Sequence, residues 1–393
     1  MISIIKELKY AYHFLWAFLG ACWCGFPSRK IFVVAVTGTK GKTTTTELIN
    51  AILEAAGFKT AISSTLRFKI GADSQPNLYK MTMPGRALLQ RFLKKAVTAG
   101  GDYAIIEMTS EGAGQSRHRF IDLDALIFTN LAPEHLESHG SLEKYLAAKL
   151  ELAKQLERSR KQNKTIIVNA DDAAAEKFLA INVPHKLRYS LKRPPAEINA
   201  TVLEGKFNRY NVAAAVTFAK TQNIPPGTIV RALKQFKGVR GRLEEIVSKL
   251  FKVIVDYAHT PDSLKQVYET FKTGRKICVF GGTGGGRDRW KRPVMGRIAA
   301  NYCSAIILTN EDPYDEDPRQ IVEEIARAIP KEKCQIIMDR RQAIRQALAE
   351  AKPGDVVIIT GKGTDPFIMG PRGNKIPWDD AAVVREEFQK LYA

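Results

Sequence analysis

Cysteine is scarce, with five in 393 residues, and too scattered for a disulfide framework. Cys22 and Cys24 form a C-x-C without a second pair, and Cys278, Cys303 and Cys334 stand apart. Neither a zinc module nor export is indicated, and a reducing compartment is expected. No uninterrupted apolar run reaches the about 20 residues that a bilayer span requires. Internal repeats and low-complexity tracts are missing. Acidic residues are in deficit: Asp+Glu number 41 against Lys+Arg 60, a formal net charge of +19. That excess suits anionic partners without distinguishing nucleic acid, nucleotides and lipid headgroups. Hydrophobic, charged and aromatic fractions of 45%, 26% and 9% exclude a disordered, collagenous or polytopic membrane chain. At roughly 100–200 residues per domain, two or three domains are expected.

From Tyr10 to Phe26 the sequence YAYHFLWAFLGACWCGF holds no Asp, Glu, Lys or Arg, and Lys6, Lys9, Arg29 and Lys30 flank it. No small-residue cleavage site follows, which argues against a signal peptide. His13, Gly20 and Gly25 interrupt the run. Three readings stand: a helix covering the next domain or a partner; an interfacial anchor held by Trp16, Trp23 and the basic flanks, giving a peripheral membrane contact through residues 10–26; and a true span. Residues 1–30 are set aside as this apolar helical segment.

Ile31–Val36 is a continuous β-branched run, the pattern of a strand buried on both faces. A Gly-rich turn follows, then a helical pattern ending at Gly57. Further strands are expected at Tyr103–Glu107, Ala125–Asn130 and Thr165–Asn169, alternating with helices such as Arg86–Ala99 and Leu142–Arg158. A second series runs through Lys252–Asp256, Lys276–Phe280, Ala305–Asn310 and Asp355–Thr360. Alternation of this kind predicts an α/β fold with mostly parallel sheets. The join is expected near Phe236–Ile246, giving domains at 31–237 and 238–393.

The loop TGTKGKT, Thr37–Thr43, lies between the first strand and its helix, the context of a phosphate-binding loop. Its backbone N–H groups and the helix N-terminus would face a triphosphate, Lys42 would reach the outer phosphates, and the Thr43 hydroxyl could ligate Mg2+. Gly38 and Gly41 let the backbone approach anionic oxygens. Val36 stands where the general motif has Gly, which marks a subclass.

The subclass is set by ordered motifs: MTMP (Met81–Pro84), EMTSEGAGQSR (Glu107–Arg117), TNLAPEHLESHGSLEKYLAAK (Thr129–Lys149), NADD (Asn169–Asp172), GKFNRYN (Gly205–Asn211), GRLE (Gly241–Glu244), DYAHTPDSL (Asp256–Leu264), GGGRDRWKRPVMG (Gly284–Gly296) and GKG (Gly361–Gly363). With TGTKGKTTT, these resemble the Mur ligase family over about Ile31 to Tyr392, and within it the UDP-N-acetylmuramoyl-tripeptide synthetases. The resemblance implies a P-loop ATPase-like central domain followed by a Rossmann-like α/β domain that binds the amino acid. It implies an ATP-dependent ligase of peptidoglycan precursor synthesis, with ATP and Mg2+ as cofactors and a cytoplasmic location, with membrane association if the first segment anchors.

By the same resemblance Glu107 and His135 hold Mg2+, and Lys149 matches a lysine carried as a carbamate, an anion able to hold the metal where ammonium would repel it. Without the motif, Lys149 reads as a solvated helix lysine and His135 as a loop histidine. ATP contacts are expected from Thr37, Gly38, Thr39, Lys40, Gly41, Lys42, Thr43 and Thr44, from Asn208 and Asn211, whose amides could equally cap a helix, and from Arg242, Asp256 and His259. Thr82, Thr109, Ser110, Gln115 and Arg117 match positions that hold the muramoyl-peptide acceptor. Two departures occur: Met83 replaces a Thr, and Glu111 stands where His often follows.

Asp312, Pro313, Gly361 and Asp365 match the amino-acid site. Members that add diaminopimelate carry Asp-Asn-Pro-Arg, whose Arg binds the distal carboxylate. Here the stretch is Glu311-Asp312-Pro313-Tyr314, and Thr364-Asp365 replaces a common His-Glu, so lysine or another amine is as acceptable as diaminopimelate. The basic glycine loop carrying Arg287, Arg289, Lys291 and Arg292 fits a domain closing over a nucleotide.

Tripeptide synthetases carry a UDP-binding amino-terminal domain of on the order of 100 residues. Its counterpart is not seen before Ile31, so the UDP site lies elsewhere, comes from a partner chain, or is replaced by a lipid-linked acceptor. Alternatives are a related ligase of the folylpolyglutamate or cyanophycin type and a nucleotide-binding module that has lost catalysis. Joint retention of Lys42, Glu107, His135 and Lys149 opposes the last. No nucleic-acid partner is expected, since no recognition motif accompanies the charge.

Overall fold

The computed structural model describes residues 2–79, 81–133 and 140–392. They form two compact units, one of Met1–Leu203 and Phe207–Lys237, the other of Glu204–Lys206 and Gly238–Ala393.

The first unit is built on an eight-stranded sheet. Its strands are β1 (Phe32–Thr37), β2 (Thr60–Ser63), β3 (Arg67–Ile70), β4 (Asp73–Pro76), β5 (Tyr103–Glu107), β6 (Ala125–Phe128), β7 (Thr165–Asn169) and β8 (His185–Tyr189), in the order β4-β3-β2-β5-β1-β6-β7-β8. All neighbours from β2 to β8 in that order are parallel, and β3 and β4 are antiparallel additions at one edge. Alternation along β1 sends Val33 and Ala35 into one core with Leu89, Phe92, Leu126 and Phe128. Val34 and Val36 enter the other with Leu48, Ile52, Val212 and Phe218. Because both faces are covered, the strand reads as one apolar run rather than an alternating one. β1 sits between β5 and β6, with Val36 beside Glu107 and Thr37 beside Phe128.

The second unit has β9 (Glu244–Val247), β10 (Lys252–Val255), β11 (Lys276–Phe280), β12 (Ala305–Leu308), β13 (Cys334–Ile336) and β14 (Val356–Ile359) in the order β13-β12-β11-β14-β10-β9. Only β9 is antiparallel. A small hairpin joins β15 (Phe367–Met369) and β16 (Lys375–Pro377). The expected α/β architecture with two mostly parallel sheets is what the chain forms. The short strands β2, β3, β4, β9, β13, β15 and β16 escaped the sequence reading, because strands of three or four residues carry too few positions for a period to show; the edge strand β8 escaped it because its mostly exposed HKLRY carries no apolar run.

One expectation needs revision, and of the readings of the first segment the helix that covers the next domain is the one the packing matches. Cys278 on β11 and Cys303, just after the Lys291–Tyr302 helix, form a disulfide with an S–S distance of 2.07 Å. The sequence hides this pairing because only the packing of that helix on the sheet brings the two together; Cys22, Cys24 and Cys334 are free. The first segment is a helix, Ile2–Cys24, that lays Ala17, Ala21 and Cys24 on the first unit, with Gly20 against Ala87 and Phe14 and Phe18 edge-on to Phe120. Among the described residues no helix is long and apolar enough to cross a membrane.

Candidate functional site

In the first unit the carboxyl ends of the parallel strands gather the chemistry, as expected for a wound α/β sheet. β1 runs into the loop at Thr37, and the Lys42–Ala55 helix begins at its far side. The loop is pinned from β6. The Thr39 amide donates to the Asn130 carbonyl at 2.8 Å and the Lys40 amide to Asn130 Oδ1 at 2.9 Å. Thr129 Oγ1 and Asn130 Nδ2 donate to the Lys40 carbonyl at 2.6 and 3.0 Å. Thr39 Oγ1 lies 3.2 Å from the Tyr145 hydroxyl. Gly41 has φ +82, and an added Cβ there would overlap the side-chain oxygen of Asn211. Glycine is therefore required twice over, by conformation and by contact.

Lys42 Nζ curls over the loop, donating to the Gly38 and Thr39 carbonyls at 2.9 and 3.0 Å. Lys149 comes to the same carbonyl from the Leu142–Arg158 helix, its Nζ 2.8 Å from Gly38 O and 4.6 Å from the Tyr145 ring centre. At 1% exposure it is not a solvated helix lysine. Glu107, fully buried at the end of β5, accepts from Thr43 Oγ1 at 3.1 Å, Thr65 Oγ1 at 3.0 Å and the Thr65 amide at 3.1 Å. Burial pushes its carboxyl up, and the Lys42 ammonium and these donors oppose that. Thr44 is buried beside them in the same helical turn. Asn208 and Asn211 are buried in the Lys206–Thr221 helix and bonded to each other at 3.2 Å, and Thr45 Oγ1 donates to Asn211 at 3.4 Å. The helix that follows the loop is thereby tied to them. His135 lies outside the described residues.

The acceptor candidates follow on from Glu107. The Thr65 and Thr82 hydroxyls are 2.9 Å apart. Arg117 bonds to the Met83 carbonyl and, at 2.7 Å, to Gln115 Oε1. Thr109 caps the Ser110–Gly114 helix, accepting from Gly112 N at 3.1 Å, with Ser110 buried beside it. Thr65, Thr129, Asn130 and Tyr145 were not singled out by sequence. Thr129 and Asn130 had a signal, directly after a buried strand; Thr65 had none.

In the second unit the Arg242 guanidinium lies 4.4 Å from the centre of the Tyr257 ring. His259 Nδ1 donates to the Tyr257 carbonyl at 2.8 Å, which leaves Nε2 as the acceptor nitrogen. Asp256 builds the turn itself, accepting from the Leu243 and Ala258 amides at 2.7 Å each. Asp312 and Asp365 are brought together by Lys362, whose buried Nζ contacts them at 2.7 and 2.9 Å. Asp312 also accepts from the Met369 amide at 2.8 Å, and the Pro313 carbonyl closes on Gly284. Gly361 leaves no room for a Cβ beside Glu311 Oε2, which has no hydrogen-bond partner among the described residues. Burial, against the pull of Arg340, moves the Glu311 carboxyl up to about 7.

Glu311 and Lys362 lie inside motifs that the sequence shows but that assign them no role, and Arg340 has no such signal. Arg340 is fully buried, paired with Asp380 at 2.7 Å and bonded to the Thr360 carbonyl at 2.9 Å. The basic glycine loop is less open than its sequence suggests. Arg289 and Arg292 both bond Glu316, at 3.0 and 2.9 Å, and Lys291 pairs with Asp288 at 3.2 Å. Despite the opposing effect of burial, the two arginines and the Gly286 amide hold Glu316 down to about 2.

The chain is similar to known proteins in sequence and in fold. Residues 36–214 match the Mur ligase middle domain and residues 241–363 the Mur ligase glutamate ligase domain. The UDP-N-acetylmuramoyl-L-alanyl-D-glutamate–2,6-diaminopimelate ligase of Syntrophomonas wolfei is 39% identical over 94% of this chain and 81% of its own. A UDP-N-acetylmuramyl-tripeptide synthetase of Roseiflexus sp. is 36% identical over 95% of this chain and 81% of its own. A solved diaminopimelate ligase of the same description superposes with TM-score 0.62 at 31% identity, over 92% of this chain and 79% of its own. Folylpolyglutamate synthase from Mycobacterium tuberculosis reaches TM-score 0.72 at 15% identity, covering 91% and 96%, a likeness of fold alone.

Proposed function

The chain belongs to the Mur ligase family, and from that premise we propose an ATP-dependent ligase that joins an amino acid to a muramoyl-peptide acceptor in peptidoglycan precursor synthesis. One observation carries the reading at the level of residues. An unbroken polar line runs from the loop through Thr43, Glu107 and Thr65 to Thr82, joining the nucleotide end of the site to the acceptor end.

Amide formation from a carboxylate requires a leaving group. An acceptor carboxylate oxygen attacks the ATP γ-phosphorus, the bond to ADP breaks, and an acyl phosphate results. The incoming amine attacks the acyl carbon, phosphate departs from the tetrahedral intermediate, and the nitrogen loses its proton. Lys42, held by two loop carbonyls, places its ammonium where phosphoryl charge develops. Thr43 and Glu107 offer hard oxygen donors that fit Mg2+, which would neutralise phosphoryl oxygens. One carboxylate is typical of a magnesium site completed by phosphate and water.

The amino-acid site supports a substrate other than diaminopimelate. Tyr314 takes the place of the arginine that would grip a distal carboxylate, and Asp312 is already engaged by Lys362 and Met369. Glu311 keeps an acidic oxygen there without a hydrogen-bond partner among the described residues, which suits an amine such as that of lysine. The 15% identity to folylpolyglutamate synthase does not favour that alternative.

Phosphate release from ATP, measured across UDP- and lipid-linked muramoyl dipeptides crossed with lysine, diaminopimelate and other amino acids, tests the reading. Release is expected only when acceptor and amino acid are both present, and to vanish in Lys42→Ala. Release that needs neither, or that survives in Lys42→Ala, would overturn it.

A further inference from the structure

The Ile2–Cys24 helix is apolar on both sides, and only one side is covered. At about 100° per residue, Ala17, Gly20, Ala21 and Cys24 share the arc that rests on the first unit. Leu8, Tyr12, Leu15, Trp16, Leu19 and Trp23 share the opposite arc, within roughly 100°. All six are exposed, Trp23 at 83%. An ordinary surface helix carries charge on this arc; here there is none, so the outer stripe needs a separate explanation.

Its chemistry favours a lipid surface. Trp and Tyr prefer the headgroup level, where the ring is apolar and the ring N–H or O–H remains wet. No Asp or Glu occurs between Leu8 and Thr46, so no anion on this stretch opposes an acidic surface. Lys30 is exposed just beyond the helix. On the Arg86–Thr98 helix, against which the first helix packs, Arg91, Lys94 and Lys95 are exposed. None of the three has a carboxylate partner among the described residues. A bare aromatic stripe beside unpaired cations is complementary to a bilayer rich in anionic headgroups. We propose that the Tyr12–Trp23 face of this helix docks the protein, peripherally, on anionic membrane surfaces. The small residues beneath keep the helix fixed to the first unit, so the face is presented ready-made rather than folded on contact.

The test uses the full chain and vesicles of phosphatidylcholine with or without phosphatidylglycerol, read by flotation and by tryptophan emission. Binding is expected only with phosphatidylglycerol, weakening as salt rises, with a blue shift of tryptophan emission. Trp16→Ala/Trp23→Ala should lose about tenfold or more of the affinity, and should lose the shift. Each of Arg91→Glu, Lys94→Glu and Lys95→Glu should cost about fivefold. These residues lie outside the ATP site, so phosphate release and far-UV circular dichroism should be unchanged. The readouts are independent of the ligase assignment. Equal recovery in the soluble fraction with and without phosphatidylglycerol would overturn the proposal, as would binding that survives Trp16→Ala/Trp23→Ala. A dimer in light scattering that this double variant dissolves would assign the face to a second copy instead.

Discussion

Lys149 Nζ and the Gly38 carbonyl meet at 2.8 Å, so the Leu142–Arg158 helix holds the loop at its first glycine. A carbamate on that nitrogen would retain one N–H for Gly38 and add anionic oxygens beside the loop. Lys149→Ala is expected to cut turnover by about 100-fold or more, the scale of losing a preorganised electrostatic contact. Lys149→Arg should not restore it, since a guanidinium takes up no CO2. With 13C-bicarbonate, the wild type should show a carbamate resonance that both variants lack.

Gly41 and Asn211 define a second dependence. Gly41→Ala must place a side chain at φ +82 and against the Asn211 amide at once. The expected cost is on the order of 1–3 kcal/mol of stability, with loss of nucleotide affinity. Denaturant unfolding and binding of a fluorescent ATP analogue check the two effects. Asn211→Ala together with Gly41→Ala should recover part of the stability, because the overlap is removed and only the backbone strain remains.

Glu311 sets a pH dependence. Its carboxyl titrates at about 7 in the fold against an ordinary 4.5, so the unfolded chain gives up the proton first as pH rises. Stability therefore falls as pH climbs from the lower value to the higher, and is level beyond it. The contribution is roughly 3 kcal/mol. Thermal unfolding of Glu311→Gln should lack this slope, and the variant should be the more stable protein above neutrality.

Cys278 and Cys303 close a loop with a sequence separation of 25. Reduction, or Cys278→Ser with Cys303→Ser, should lower stability by roughly 3 kcal/mol. Unfolding with and without a thiol reductant reads the difference. Identical midpoints would return both residues to the thiol state expected from composition.

Much of this arrangement is legible in the sequence alone. The loop, Glu107 and Lys149 sit in motifs whose spacing survives as sequence, and Tyr103–Glu107 and Leu142–Arg158 begin and end where the apolar pattern places them. Thr65 was not legible: it reaches Glu107 only because β2 lies beside β5, a pairing between residues far apart in the chain. Lys362 was visible as the centre of GKG, yet its task of joining Asp312 to Asp365 follows from burial that the motif does not state. The paired arginines of the glycine loop carry the same lesson in reverse, since a charge count records cations and cannot record the carboxylates that neutralise them.

The grip of Asn130 on the loop has a kinetic corollary. Two of the loop's amides are committed before any nucleotide arrives, so the cradle has little ordering left to do. Association with ATP should then run at the pace of encounter, in a single fast phase. The slow motions of the catalytic cycle must be sought in other parts of the molecule.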